Sequence, residues 1–502
     1  MSSFQRLISN VSWSVFGKVC TQVLLFGVSV IITRYLGKED LGVYAALLVI
    51  PNFVCLLNSM GIETLVNKHL PELNAIDASG NLGRCLLKRL LIFRLITAAI
   101  LCASLYLIFP YYIEFINKQE LFQYRIIILI YFLVLTTNSF LSTLFMTQLR
   151  YKLISITETI SVAVNLILLA LFVTMDLGII GVLYAYVFST AITILVYAWL
   201  SRIHFIGKAE TLDWSEIKPL ALTSYGMSLF SFGLMTQSDI LLMNFFQVSN
   251  VDVGFYHLAT SVAAMLAFVL TGIGPLALSM LSEIYVRESV VGLSKLWCQI
   301  LGLAAFLTTP IYVFVFFNAE ELLVFLFGET YAGAKTIFAL CVFFSWVQTF
   351  LGWNLTSSTL FILHQRRIVL SSTIEGSVIN ILLNLILIPI YGVTGAVFST
   401  GLVMVYMVVR QLYAVQKEVQ IGPAFPVILK CFFFSLTAGF IAKVGAWLVL
   451  DHIIFNAVVY LIAFTVLLAW IKPFTQEHRI LISGKTPSLD RIAKWFSHAD
   501  SL

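Results

Sequence analysis

The sequence predicts an all-α polytopic membrane protein of about 14 transmembrane helices, in two pseudo-symmetric six-helix bundles related as a parallel repeat, with two further C-terminal helices. Three observations predict this. Of 502 residues, 60% are apolar and only 11% are charged, whereas a soluble chain carries about 25% charged residues. Apolar runs of about 20 residues, long enough to cross ~30 Å of hydrocarbon, recur from end to end. The second half of the chain also repeats the first.

The predicted spans are 9–33, 41–61, 86–109, 122–147, 154–174, 178–200, 219–247, 253–281, 296–317, 332–362, 371–390, 393–413, 426–450 and 453–471. The first is too long for a secretory signal core, and no small-residue cleavage site follows it. "YLGKEDL" joins it to the second span. The longest expected loops, 62–85 and 201–218, are too short to be domains. Continuous rather than alternating apolar runs exclude a transmembrane β-barrel. The seven cysteines are scattered, mostly within apolar runs, and show neither metal-binding nor disulfide spacing.

Lys and Arg set the expected orientation. With the N-terminus inside, the cytoplasmic segments hold 22 of the 30, including five in the tail after span 14. The outer segments hold Arg34, Lys38, Lys118, Arg125 and Lys335, and Lys18, Arg94 and Lys443 fall within spans. Such a bias places both termini in the cytoplasm.

The repeat is visible where span four ends "NSFLSTLFMTQLR" (138–150) and span ten ends "NLTSSTLFILHQR" (354–366). At a shift of 216, Asn138, Ser142, Thr143, Leu144, Phe145 and Arg150 match Asn354, Ser358, Thr359, Leu360, Phe361 and Arg366. Ser155-x-x-Glu158 and Ser372-x-x-Glu375 follow, then Gly178-x-x-Gly181 and Gly392-x-x-Gly395. A shift of six spans keeps both copies in the same orientation, as in parallel-repeat transporters. The expected lobes are 1–208 (spans one to six) and 209–416 (spans seven to twelve), followed by two spans in 417–471 and a basic cytoplasmic tail, 472–502. Two such lobes suit alternating access to a cleft.

Candidate functional residues are the charges that a membrane interior disfavours. Lys18 lies about seven residues into span one, roughly 10 Å deep at ~1.5 Å per residue. Asn10, Ser14, Gly17 and Thr21 share its face, a polar stripe that fits either a substrate cavity or a helix contact. Snorkelling or a structural ion pair is the competing reading of Lys18. Asp239, in the equivalent span seven, is too short to snorkel, which fits coupling or gating or else a buried hydrogen bond. Arg150, Lys152, Arg366 and Arg367 could meet an anion at the inner mouth, or could contact headgroups and set topology. Glu158 and Glu375 read as capping-box acids, Arg94 and Lys443 as snorkelling cations, and the intramembrane Asn residues as bonds between helices. "TGIGP" (271–275) is the candidate flexible break.

"IITRYLGKEDLGVY" (31–44), "MGIETLVNKHLPEL" (60–73), the Gln365-Arg366 turn and "YGVTGAVFST" (391–400) resemble the bacterial polysaccharide-transport branch of the multidrug/oligosaccharidyl-lipid/polysaccharide exporter superfamily. The resemblance covers about residues 5–415. It implies a flippase that moves undecaprenyl-diphosphate-linked oligosaccharide, an O-antigen or capsule-type repeat unit, to the outer leaflet of the bacterial inner membrane. Implied partners are that lipid-linked glycan, membrane lipids, and a polymerase and other glycan-assembly proteins. Nothing points to nucleic acid or to a cofactor, and H+ and Na+ are both open as coupling ion. A cation-coupled multidrug exporter of the same superfamily is the alternative, but it would want carboxylates where span one carries Lys18. A peptidoglycan-precursor flippase would share the architecture, yet its signature sequences are not recognisable. A membrane glycosyltransferase would need a large outer loop, and none is present.

Overall fold

The computed structural model describes residues 3–77, 80–148, 150–202, 205, 214, 218–234, 236–271, 273–448 and 452–471, with side chains of 3–17, 75, 151, 268–279, 354, 446–448 and 469–471 outside the description. The expected basic tail lies outside it. Among the described residues the chain is helical, with no strand. Its helices are α1 (Ser3–Ser59), α2 (Ile62–Ile76), α3 (Asn81–Ile116), α4 (Arg125–Thr147), α5 (Tyr151–Thr174), α6 (Gly178–Ser201), α7 (Lys218–Phe232), α8 (Thr236–Phe245) and α9 (Asn250–Thr271). Then follow α10 (Ile273–Phe317), α11 (Ala319–Phe327), α12 (Lys335–Phe350), α13 (Trp353–Ile362), α14 (Arg366–Tyr391), α15 (Val393–Val415), α16 (Phe425–Leu448) and α17 (Ile453–Ile471). Ten helical stretches among the described residues are long and apolar enough to cross a membrane.

Among the described residues each of the fourteen predicted spans is largely helical, but the helices are cut differently. α1 carries the first two spans across a kink at Gly37, whose φ of 74° is easily reached without a Cβ. Span seven is split between α7 and α8, and span ten is split at Gly352 into α12 and α13. The expected loop 62–85 is largely α2, which seals its apolar face, Ile62, Leu65, Val66 and Leu70, against Leu86, Leu90, Phe140 and Leu144. Its apolar residues fall three and four apart, as an amphipathic helix requires, a pattern hidden in the sequence by its polar other face. The "TGIGP" segment straddles the end of α9 and the start of α10, with Gly272 and the side chains around it outside the description.

Packing divides the chain into two compact units, one of residues up to His257 with Asn384–Val393, the other of Leu258–Leu383 with Thr394 onward. The lobes expected at 1–208 and 209–416 are divisions of sequence symmetry. The units are divisions of contact, and they group α7 and α8 with α1–α6. Local geometry repeats along with the sequence. A 3-10 turn, Gln119–Tyr124, runs directly into α4, and another, Glu329–Ala334, runs directly into α12.

In the first unit, backbone meets backbone near the Gly37 kink. A Cβ on Gly42 would fall on the Asn250 carbonyl oxygen, and one on Gly254 would sit 2.6 Å from the Lys38 carbonyl oxygen. This seam extends sideways through polar contacts. Lys118 Nζ donates to Asn244 Oδ1 at 2.8 Å, and Asn250 Nδ2 donates to Glu120 Oε1 at 2.9 Å. Lys118, only 6% exposed, lies in the turn between α3 and the first 3-10 segment. Burial pulls its pKa down to about 8, against the opposing pull of Glu120.

Two outcomes are expected at this seam. Gly42→Ala must force the two backbones apart, which costs about 1–3 kcal/mol of overpacking; in a detergent melt it should unfold below wild type, and a melt that coincides with wild type would contradict the contact. The second concerns pH. The lowered folded-state pKa means the unfolded chain binds more protons between about pH 8 and the ordinary 10.5. Wild-type stability, measured relative to Lys118→Met, should therefore rise across that window.

Candidate functional site

Five sites emerge, three built around paired charges, one around a buried carboxylate and one around an exposed lysine. Lys18 is exposed on α1. Three residues on, Thr21 shares a 3.0 Å hydrogen bond with Thr159 of α5. The adjacent Glu158, also exposed, lies within electrostatic reach of the Lys18 ammonium. The Lys18–Thr21 face of α1 thus adjoins α5, and the side chains of Asn10 and Ser14, which would extend the stripe, lie outside the described residues. The capping-box reading of Glu158 is overturned. α5 begins at Tyr151 and shows no side-chain cap, so Ser155 and Glu158 stand on its second and third turns.

Asp239 is fully buried on α8. Asn384 Nδ2 donates to its Oδ1 at 2.7 Å, and the Tyr256 hydroxyl donates to Oδ2. Asn384 is also fully buried, and its own Oδ1 has no partner among the described residues. One carboxylate therefore ties α8 to α9 and α14. The sequence singles out Asp239 and reads the intramembrane asparagines, Asn384 among them, as bonds between helices, but nothing in it marks Tyr256. The separation of 145 residues between Asp239 and Asn384 left no local signal to join them.

Arg94 corrects an expectation. Instead of snorkelling it is 2% exposed, with Nη1 donating to Glu63 Oε1 at 2.6 Å and Nε to Thr136 Oγ1 at 3.0 Å. Ser139 Oγ donates to the same Glu63 oxygen at 2.9 Å. Thr136 donates in turn to Asn58 Oδ1, and Asn58 Nδ2 donates to Thr97 Oγ1 at 2.9 Å. The network joins α1, α2, α3 and α4. Arg94 Nη2 is buried in it with no partner among the described residues. The missed member is Glu63, whose signal was an acid two residues past Gly61 at the end of an apolar span.

The second unit holds the remaining pairs. Glu375 pairs with Arg410 at 2.8 Å and accepts from the Tyr406 hydroxyl at 2.9 Å. Ser372 accepts from Gln411 Nε2 at 2.9 Å, so this Ser-x-x-Glu also serves helix contact, well inside α14 rather than at its cap. Lys443, expected to snorkel, pairs with Glu321 of α11. The four cations expected at the inner mouth are exposed at helix starts, Arg150 and Lys152 around the start of α5 and Arg366 and Arg367 opening α14.

The "RYLG" stretch is structural. Tyr35 OH accepts from the Gly178 backbone N–H at 2.8 Å and donates to Asp176 Oδ1 at 3.2 Å. It pins the α5–α6 turn beside the Gly37 kink.

A family model described as polysaccharide biosynthesis protein matches residues 31–336. An uncharacterized membrane protein of Methanocaldococcus jannaschii is 21% identical over 446 residues, covering 83% of this chain and 85% of that one. The solved structure of the lipid II flippase MurJ in an inward-closed conformation is similar at a TM-score of 0.71 and 15% identity, over 90% of this chain and 98% of that one. An inward-facing multidrug resistance MATE family transporter of the MOP superfamily gives 0.64 at 15% identity, over 80% and 94%. At these identities the structural likeness is one of fold. The chain belongs to the polysaccharide biosynthesis protein family, and its all-α fold is that of the flippase and transporter structures it resembles.

Proposed function

We propose that the protein is a flippase for an undecaprenyl-diphosphate-linked oligosaccharide, an O-antigen or capsule-type repeat unit, carried from the inner to the outer leaflet of the bacterial inner membrane. Lys18 is its cargo-facing cation. One observation carries the reading. The acids Glu63, Asp239, Glu321 and Glu375 each accept hydrogen bonds from protein donors, whereas the Lys18 ammonium is exposed, with no bonded partner among the described residues. A cationic drug would need a free acid to meet it, and here those four are committed, while the exposed Glu158 faces the field of Lys18 itself. A diphosphate needs a cation, and a charge-assisted contact of this kind is about twice as strong as a neutral one.

Lys18 and Thr21 line the cavity in this reading, together with Asn10 and Ser14 earlier on the same face. Glu158 holds the Lys18 ammonium in place until a phosphate competes for it. Asp239 acts in coupling or gating, because Tyr256 and Asn384 must let go of its carboxylate if α8 is to move against α9 and α14. Whether the coupling ion is H+ or Na+, Asp239 is where it would act. Arg150, Lys152, Arg366 and Arg367 supply positive potential at the inner mouth. Both termini are cytoplasmic in this arrangement, and a polymerase and other assembly proteins receive the product.

The lysine is tested by surface-glycan export at matched membrane levels. Lys18→Ala should lower export about tenfold, the equivalent of ~1.4 kcal/mol, Lys18→Glu should abolish it, and Lys18→Arg should keep most of it. Wild-type export by all three variants would sink the cavity role. For Asp239 the comparison is Asp239→Asn against wild type across external pH and sodium. Export should fall and lose its dependence on the coupling ion, and undiminished export with unchanged dependence would leave Asp239 a purely structural group.

A further inference from the structure

A groove of about 860 Å³ opens on the first unit, away from Lys18 and Asp239. Ile62 and Leu65 of α2, Leu90 and Phe93 of α3 and Leu222 of α7 form its apolar wall. Phe93 is 46% exposed and Leu222 74% exposed, so the wall is open to whatever surrounds the protein. The cations Arg89 and Lys218 line the same groove, and its lining contains no acidic side chain among the described residues. Arg89 also sits over the Trp214 ring, 5.8 Å from its centroid. An apolar trough bordered by two cations and amphipathic aromatic rings is complementary to one kind of molecule, a long hydrocarbon chain bearing phosphate.

We propose that this groove holds the isoprenyl chain of the lipid-linked cargo, with its proximal phosphate between Arg89 and Lys218. The proposal rests on the flippase reading above and names where the lipid, rather than the glycan, is held. Two features favour the cargo over a bulk phospholipid. Arg89 and Lys218 belong to the set of basic residues that the charge bias assigns to the inner side, the leaflet where the cargo starts. The wall of the groove is also the back of the buried ion pair. Ile62 and Leu65 flank Glu63, and Phe93 adjoins Arg94, so an occupant presses on the two helical turns that hold the Glu63–Arg94 contact. Lipid capture thereby acts on the polar network that joins α1 to α4.

The test uses the full-length protein in nanodiscs and a diazirine-bearing undecaprenyl monophosphate as probe, with phosphatidylglycerol as competitor. Cross-links should map to α2, α3 and α7. Leu222→Trp, which fills the trough, should weaken binding at least tenfold, and Arg89→Gln and Lys218→Gln should each weaken it roughly fivefold. A thermal melt of each variant confirms that it is folded. Probe binding that survives all three substitutions overturns the groove while leaving the flippase reading intact. Equal displacement by phosphatidylglycerol at equal concentration also overturns it, because the surface would then be a general anionic-lipid site. Wild type that binds no undecaprenyl phosphate at all overturns the flippase reading, and the groove proposal falls with it.

Discussion

Inside a membrane no water is available to share a charge, so a buried ion must carry its partners with it, and the Arg94–Glu63 pair shows what this demands. Moving such ions out of water costs several kcal/mol each, and a pair recovers that cost only when the remaining donors and acceptors are also matched. Here Thr136 and Ser139 satisfy Arg94 Nε and Glu63, Asn58 and Thr97 extend the network, and Arg94 Nη2 alone of the guanidinium nitrogens has no partner among the described residues. The helices that present these residues must therefore keep their register to about the tolerance of a hydrogen bond. A shift of one turn, ~5.4 Å, would separate the guanidinium from its carboxylate. Asp239 imposes the same demand on α8, α9 and α14. The apolar surfaces between these points supply packing contact without choosing a register, since lipid tails are as apolar as leucine and helix association draws on packing and polar bonds.

Much of the fold is legible in the sequence, and the reason is the solvent. A hydrocarbon layer imposes one length and one composition on every spanning segment, so the runs announced themselves, and each is largely helical among the described residues. Where helices break or join was less legible. Gly37 stood inside the expected loop "YLGKEDL", yet the chain bends there and continues as helix. α2 was hidden for the opposite reason. It is amphipathic, so an average over its length resembled a loop, although Ile62, Leu65, Val66 and Leu70 line one face. The repeat was legible because it depends on identity at fixed separation, and the paired 3-10 turns before α4 and α12 are its backbone form.

The site was legible residue by residue and not as contacts. Lys18, Arg94, Asp239, Glu375 and Lys443 all stood out, because a charge in an apolar run needs explanation. What each one does depends on its partner. For Arg94 the partner lies 31 residues away, for Lys443 it lies 122 away, and for Asp239 one of two lies 145 away. No periodicity carries such information. The two Ser-x-x-Glu repeats show the converse error. Their spacing fits a capping box, but both helices start earlier, so the same spacing puts Ser and Glu on a common helical face. That face is used for helix contact through Gln411, Arg410 and Tyr406 in the second copy. In the first copy Thr159 and Glu158 meet Thr21 and the field of Lys18.

That last difference between the copies bears on how an exporter of an anion could work. In the second copy the glutamate is held by an arginine on the neighbouring helix within its own unit, two hydrogen-bonded charges with little reason to part. In the first copy the glutamate answers a lysine across a longer gap, and Lys18 is exposed. An ammonium that is attracted by a carboxylate without being bonded to it is oriented yet still available, since a phosphate oxygen at hydrogen-bond distance outcompetes a more distant charge. Were Lys18 bonded as tightly as Arg410, an incoming anion would have to break one ion pair to make another, with little net gain. In the flippase reading, that asymmetry between the equivalent glutamates would leave one copy free to take up charge and the other tied within its own unit. A transporter whose two halves descend from one sequence needs that difference if only one face is to greet the cargo.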